Sequence, residues 1–283
     1  MEKIVVALFL VAFMLVAGLQ CDYHDLLVAL KDRARMTRIL LANVVVVPLI
    51  AVIVVRLFAL DDFVATGILL MALAPGVPFL PMIAGGKKGG SAGLATGLAV
   101  VLPAISIVTV LISAPLVLPA NAGAHIRFAP FIINLVLLQL LPLVIGLWIR
   151  ARAASAAPAV MKIAVAVLVI AGLAVLYLVL PAMGSAFATV FGTRGLAATL
   201  LVVLLSGLAG WAFGGNTVEY RRTITISTIM RNFGLALLIA GQNFEGTIVS
   251  AVVLAYFAIQ FVVANVLGMV LKRRDESLAP AKG

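Results

Sequence analysis

Cysteine, histidine and acid are what this chain nearly goes without. A single cysteine, Cys21, excludes a disulfide framework. Cys21 with the two histidines, His24 and His125, also falls short of a zinc centre, which takes three or four protein ligands spaced to converge. Charged residues are only 11% of the 283, against about 25% in a soluble domain. The ten acids are Glu2, Asp22, Asp25, Asp32, Asp61, Asp62, Glu219, Glu245, Asp275 and Glu276, and all lie between or beyond the long apolar runs. No carboxylate pair, central histidine or central cysteine remains within a run, so an intramembrane enzyme finds none of its usual groups. Proton relays and carboxylate-lined sodium sites are disfavoured for the same reason. No cofactor is expected. The turn Gly85-Gly86-Lys87-Lys88-Gly89-Gly90 has neither the spacing of a phosphate loop nor a Ser or Thr after its lysine.

Apolar residues make up 65% of the chain, and the mean hydropathy is +1.28. No soluble core hides that much apolar surface, so most of the chain belongs in lipid. A bilayer core about 30 Å thick needs roughly 20 apolar residues per helix. Nine such runs are legible, at residues 4–19, 39–58, 63–85, 92–118, 130–149, 160–180, 196–213, 223–240 and 247–271. The first is read as a retained span, since no small-x-small cleavage site follows it. The net charge of +10 is spread through the gaps, which excludes a nucleic-acid surface. Alternate gaps and the tail hold fourteen lysines and arginines. The other side has four: Lys3, Arg56, Arg127 and Arg194. This asymmetry places the N-terminus outside and the C-terminus in the cytoplasm of a plasma (inner) membrane. Residues 1–271 then form one transmembrane unit and 272–283 a cytoplasmic tail. Residues 21–38 are expected as an amphipathic connector lying on the surface.

Two runs are broken. The third contains Ala74-Pro75-Gly76-Val77-Pro78-Phe79-Leu80-Pro81, and three prolines so close together remove donors and favour extended backbone. The eighth contains Arg231, next to Asn232 and among Ser227, Thr228 and Met230. A central arginine costs roughly 2.5–3.5 kcal/mol on insertion scales, so it needs acceptors. With no acid at hand, backbone carbonyls, hydroxyls, amides or a bound anion must serve. Pairing the halves at about 1–118 and 129–271 leaves the fifth run over and puts equivalent runs five crossings apart, hence antiparallel. Paired broken helices in an inverted repeat point to a transporter's midplane site. Asn43, Asn134, Gln139, Gln260 and Asn265 are the other amides at depth. Such residues are commonly helix-packing contacts, and Asn43 gains interest from Pro48 behind it.

Taken in order, these features resemble the bile acid:sodium symporter family along nearly the whole chain. Gly18-Leu19 with Asp25-Leu26 is similar to the family's first connector. Ala74-Pro75-Gly76 resembles the Pro-Gly-Gly opening of its first crossover, and Met230-Arg231-Asn232-Phe233-Gly234-Leu235 resembles its second. The resemblance implies an all-α polytopic fold with panel and core domains, two crossing discontinuous helices, and sodium-coupled carriage of organic anions. This chain departs from the family at the sodium ligands. Ser227 stands where the family has Glu, Arg231 where it has Gln, and Leu80-Pro81 where it has Ser-Asn, while Asn43 and Asn232 keep amide character. The cation-site equivalents are therefore Asn43, Ser227, Thr228, Met230 and Arg231. Arg231, Asn232, Pro75, Gly76, Val77, Pro78, Phe79 and Gln260 are the expected substrate-site residues.

The expected function is sodium-independent carriage of a small carboxylate or bile-acid-like anion by alternating access. Two roles for Arg231 stand open: replacing a bound cation, or pairing with the anion. Sodium coupling through rearranged hydroxyl and carbonyl ligands is the alternative, and a non-transporting receptor is another.

Overall fold

A computed structural model describes residues 2–85, 89–119, 133–134, 136–192 and 194–278, with backbone alone at 2–3, 23, 28, 179–192 and 273–278. Among the described residues every regular element is helical. In chain order these are α1 (Glu2–Gln20), α2 (Tyr23–Leu30), α3 (Arg33–Leu57), α4 (Asp62–Leu73), α5 (Leu80–Ala84) and α6 (Ala92–Val117). They continue with α7 (Leu141–Arg152), α8 (Ala157–Gly192), α9 (Gly195–Phe213), α10 (Val218–Ile229), α11 (Phe233–Asn243) and α12 (Val249–Leu278). Five helical stretches are long and apolar enough to cross a membrane: Arg33–Leu57, Ala92–Val117, Ala157–Leu178, Gly195–Phe213 and Val249–Lys272. Large apolar side chains on their outer faces, such as Ile170 and Leu173 on α8, are exposed, as a lipid-facing surface requires.

Helix α1 lies along α7 and α8. Glycine makes that approach possible. A Cβ at Gly146 would sit 2.5 Å from the Leu15 carbonyl oxygen and 2.9 Å from Gly18 Cα. Small residues at such a crossing let two backbones meet in lipid, where packing replaces the hydrophobic drive. Helix α9 packs on α3 and α10, α6 on α2 and α5, and α12 on α4, α9 and α11.

Both expected breaks are present. Helix α4 stops at Leu73, because Ala74 precedes a proline and takes up φ −105°, ψ 79°. The chain restarts at Leu80 with Pro81 in the first turn, where its missing N–H is harmless. The second break contains no proline. Helix α10 carries the β-branched run Thr223-Ile224-Thr225-Ile226 and ends on an extended Met230. Asn232 then caps α11, its side chain accepting from the Leu235 N–H at 3.1 Å.

Two expectations need correction. The stretch 21–38 is not one surface connector. Asp22 and Asp25 form a capping box on the short α2, which packs against α6, and Asp32 caps α3, so Arg33–Arg38 open the long helix itself. The sixth run does not end at Leu180 either. Helix α8 continues through Pro181 to Gly192, since an internal proline removes one hydrogen bond without ending a helix that is apolar on both sides. Lys87 and Lys88 of the glycine turn, Arg127, His125, the start of the fifth run and residues 279–283 of the tail lie outside the described residues.

Candidate functional site

The two breaks meet. Pro75 and Arg231 form an antiparallel bridge, and the Asn232 N–H donates to the Ala74 carbonyl at 2.8 Å. The backbone of Arg231 is paired a second time by Gln260 of α12. Gln260 Oε1 accepts from the Arg231 N–H at 2.9 Å, and its Nε2 donates to the Arg231 carbonyl at 3.2 Å. A side-chain amide here does what a neighbouring strand would do.

Gly76 is fixed by its conformation and by its surroundings. Its φ is +91°, and a Cβ would lie 2.5 Å from Leu102 Cβ and 2.6 Å from Pro103 Cδ of α6. Gly76 therefore faces α6. Val77 and Leu80 are fully buried, and Phe79 is half-buried.

The Arg231 side chain is fully buried. Its Nη1 donates to Asn43 Oδ1 at 2.8 Å, and its Nη2 donates to the carbonyls of Asn43 at 2.8 Å and Ala72 at 2.7 Å. Both carbonyls are available for a local reason. Ala72 is in the last turn of α4, where carbonyls have lost their helical partners. Asn43 lies in a π-helical stretch, Leu41–Val46, in which the Val47 N–H bonds back five residues to Ala42. On that register the Asn43 carbonyl would need an N–H from Pro48, which has none. The proline thus leaves a buried carbonyl for the guanidinium. The C-terminal ends of α4 and α10, where helix dipoles are negative, come together at this cation.

Ser227 and Thr228 take no part in holding the guanidinium. Their hydroxyls donate to the Ile224 carbonyl of their own helix at 2.8 and 2.7 Å. Thr228 Oγ1 is also approached by Asn43 Nδ2 at 3.5 Å, and that amide's main acceptor is the Ile39 carbonyl at 2.9 Å. Met230 is fully buried in the break. Asn232 Nδ2 donates to Gln139 Oε1 at 3.4 Å, which links the crossing to a second π-helical stretch, Val136–Leu140, just ahead of α7.

Several participants carry no mark in the sequence. The Ala72 carbonyl is one. Tyr256 is another, one helical turn before Gln260 on α12. It is fully buried, and among the described residues its hydroxyl has no hydrogen-bond partner, as is true of Arg231 Nε and Gln139 Nε2. The spacing of Tyr256 and Gln260 on one helix face was the available signal. Six phenylalanines also gather beside the crossing, of which the sequence places only Phe79 and Phe233 there.

Apolar helices too numerous for a soluble domain, with two of their number broken and crossed over a buried cation, are the architecture of a membrane transporter. A profile of the Sodium Bile acid symporter family matches residues 7–171, more than half the chain. The chain belongs to that family, whose members are transporters and not enzymes. Among curated proteins none matches the chain. The protein is thus a multi-pass membrane transporter for a small-molecule substrate.

Proposed function

We propose that the protein carries a small organic anion by alternating access without sodium, the Arg231 guanidinium taking the place of the cation at the helix crossing. The observation that carries this reading is the all-oxygen shell around the guanidinium, built from Asn43 Oδ1 and the carbonyls of Asn43 and Ala72. Oxygen dipoles and helix C-termini of this kind hold sodium in transporters with broken helices. Here a tethered cation already occupies them, and like-charge repulsion opposes a second. Because three of its five N–H groups are given to these oxygens, Arg231 acts on the anion chiefly through its charge and by keeping the crossing assembled. Of the two roles left open by the sequence, this favours replacement of the cation.

On this reading the nine runs form two inverted halves, at about 1–118 and 129–271. The third (α4–α5) and eighth (α10–α11) runs cross at mid-depth. Helices α1, α7 and α8 form the panel and the remaining helices the core. The N-terminus is outside and the C-terminus cytoplasmic in the plasma (inner) membrane. The substrate-site residues are then Asn232, Pro75, Gly76, Val77, Pro78, Phe79 and Gln260 around Arg231.

Reconstituted protein tests the reading. Radiolabelled taurocholate and a small carboxylate, pyruvate, are offered to proteoliposomes in sodium chloride and in choline chloride. Equal uptake in the two salts is expected, and uptake that needs sodium overturns the proposal.

A further inference from the structure

Only 7% of the residues are aromatic, yet six of the fourteen phenylalanines meet in one place. Phe9 and Phe13 come from α1, Phe79 from the first break, Phe233 from the start of α11, and Phe257 and Phe261 from α12. Their ring centroids are 4.0 Å apart for Phe233–Phe257, 5.6 Å for Phe13–Phe233, 5.7 Å for Phe13–Phe79 and 6.3 Å for Phe79–Phe261. Exposure falls along the set. Phe261 is 41% exposed, Phe257 and Phe79 are half-buried, and Phe13 is 3% exposed. The rings therefore run from the surface inward, along the line where α1 meets the crossing.

The inner end of this track is polar. Helix α11 begins there, and its first turn is pressed on α1. A Cβ on Gly234 would lie 2.7 Å from Leu10 Cδ2 and 3.8 Å from Phe13 Cδ1. Gln139 comes from the other side. It is 1% exposed, its Oε1 is held by Asn232, the α11 cap, and among the described residues its Nε2 has no partner. A buried amide nitrogen without an acceptor is an expensive thing to keep, and on the residue that holds the α11 cap a carboxylate oxygen would satisfy it. Arg231, one residue before the cap, adds a single fixed positive charge.

We propose that the anion carried is an aromatic monocarboxylate, its carboxylate received by Gln139 Nε2 at the amino end of α11 and its ring lying among Phe13, Phe79, Phe233 and Phe257. The inference rests on the reading of the crossing as an anion site, and it adds the class of anion. The one fixed charge matches one carboxylate. Rings at these separations prefer an offset or edge-on ring to a saturated one, by roughly two- to tenfold per contact.

The probes are radiolabelled phenylacetate and its saturated analogue cyclohexylacetate, offered to proteoliposomes of the full chain in choline chloride and in sodium chloride, with taurocholate in parallel. Saturable phenylacetate uptake in choline is expected, at least fivefold more efficient than that of cyclohexylacetate. Phe233→Leu should bring that ratio close to one. Gln139→Leu should raise the half-saturating concentration at least tenfold for both acids, in protein that unfolds at the wild-type temperature. If Gln139→Leu fails to fold, the Phe233→Leu ratio decides. Equal handling of the two acids, or transport of taurocholate alone in choline, overturns the aromatic assignment and leaves sodium-free anion transport standing. Uptake that appears only with sodium, or none of any probe in either salt, overturns both.

Discussion

Removing the guanidinium from the crossing should destabilise the protein by an amount the structure lets one work out. Arg231 makes three side-chain hydrogen bonds of 2.7–2.8 Å, all to buried oxygens. Hydrogen bonds to a charged group contribute about 1.5–3 kcal/mol each, so the gross loss is about 4.5–9 kcal/mol. Against it stands relief from keeping a cation at depth, about 2.5–3.5 kcal/mol. The net for Arg231→Met, which preserves bulk and leaves no large cavity, is a destabilisation of about 3 kcal/mol. At the scaling of proteins this size, that lowers the unfolding temperature by roughly 6–12 °C. Arg231→Ala should lose more, because it also opens a cavity among fully buried neighbours. Arg231→Lys should regain a third to a half of the loss, since one ammonium cannot span three acceptors spread over Asn43 and Ala72. Thermal unfolding of the four proteins in one detergent, followed by tryptophan fluorescence, makes the comparison. Anion uptake by Arg231→Met should vanish, with partial return in Arg231→Lys. A Met variant as stable as the wild type would mean that the guanidinium does not hold the crossing together, and the argument would fail at its base.

Three further outcomes are expected. Ser227→Glu combined with Arg231→Gln restores the carboxylate and amide seen in the family. At sodium concentrations well above its dissociation constant this variant should be stabilised by about 1–2 kcal/mol, where the wild type shows no difference between sodium and choline. Sodium stabilising the wild type equally would refute the tethered-cation reading. Carriage of a monoanion without a counter-cation moves charge, so its steady-state distribution should follow an imposed potassium diffusion potential by about fiftyfold per 100 mV; a distribution indifferent to potential would contradict uncoupled movement. Cys21 is 1% exposed, and burial, with Asp25 and Asp22 adding to it, pushes its thiol up to about 12. Its ionised fraction at pH 8 is then roughly one in ten thousand, and maleimide labelling should be slow until the protein is unfolded, rising about tenfold per pH unit below 12. Labelling at the rate of a free thiol at neutral pH would show that α1 and α2 do not shield it.

How far the sequence discloses the site depends on whether side chains or backbone build it. The first break is written in Pro75, Pro78 and Pro81, and the second in Arg231 with the polar residues Ser227, Thr228 and Asn232 around it. The exceptional status of Arg231 follows from the absence of any acid within the runs. What holds Arg231 is mostly backbone. Any residue at position 72 offers the same carbonyl, so its identity as alanine says nothing. The Asn43 carbonyl is free only because a π-helical turn shifts the register onto Pro48, and Pro48 alone gave the hint. The phenylalanines show the same limit. Phe9 with Phe13, and Phe257 with Phe261, are visible as pairs four residues apart, but their convergence with Phe79 and Phe233 needs four elements brought together. The sixth run ends at residue 180 by its apolar pattern, yet its helix continues through Pro181 to Gly192, because a proline that ends one helix only interrupts another.

The distribution of polar contacts also says where motion can occur. Arg231 and Gln260 tie α3, α4, the second break and α12 to one another through five hydrogen bonds between buried groups. Separating any of these elements would strand acceptors or donors in a dry interior, at about 1–3 kcal/mol each. Across the boundary between these elements and α1 with α7, the contacts are of another kind. They are phenylalanine rings, aliphatic side chains and the 3.4 Å bond between Asn232 and Gln139. Dispersion contacts re-form after sliding with little penalty, because one apolar partner can replace another. On the proposed alternating-access reading, a cation that cannot leave keeps the crossing assembled throughout a cycle, and opening falls along the aromatic boundary. That boundary is also where an anion would enter on this reading, and among the described residues the hydrogen bond spanning it belongs to the amide whose nitrogen lacks a partner.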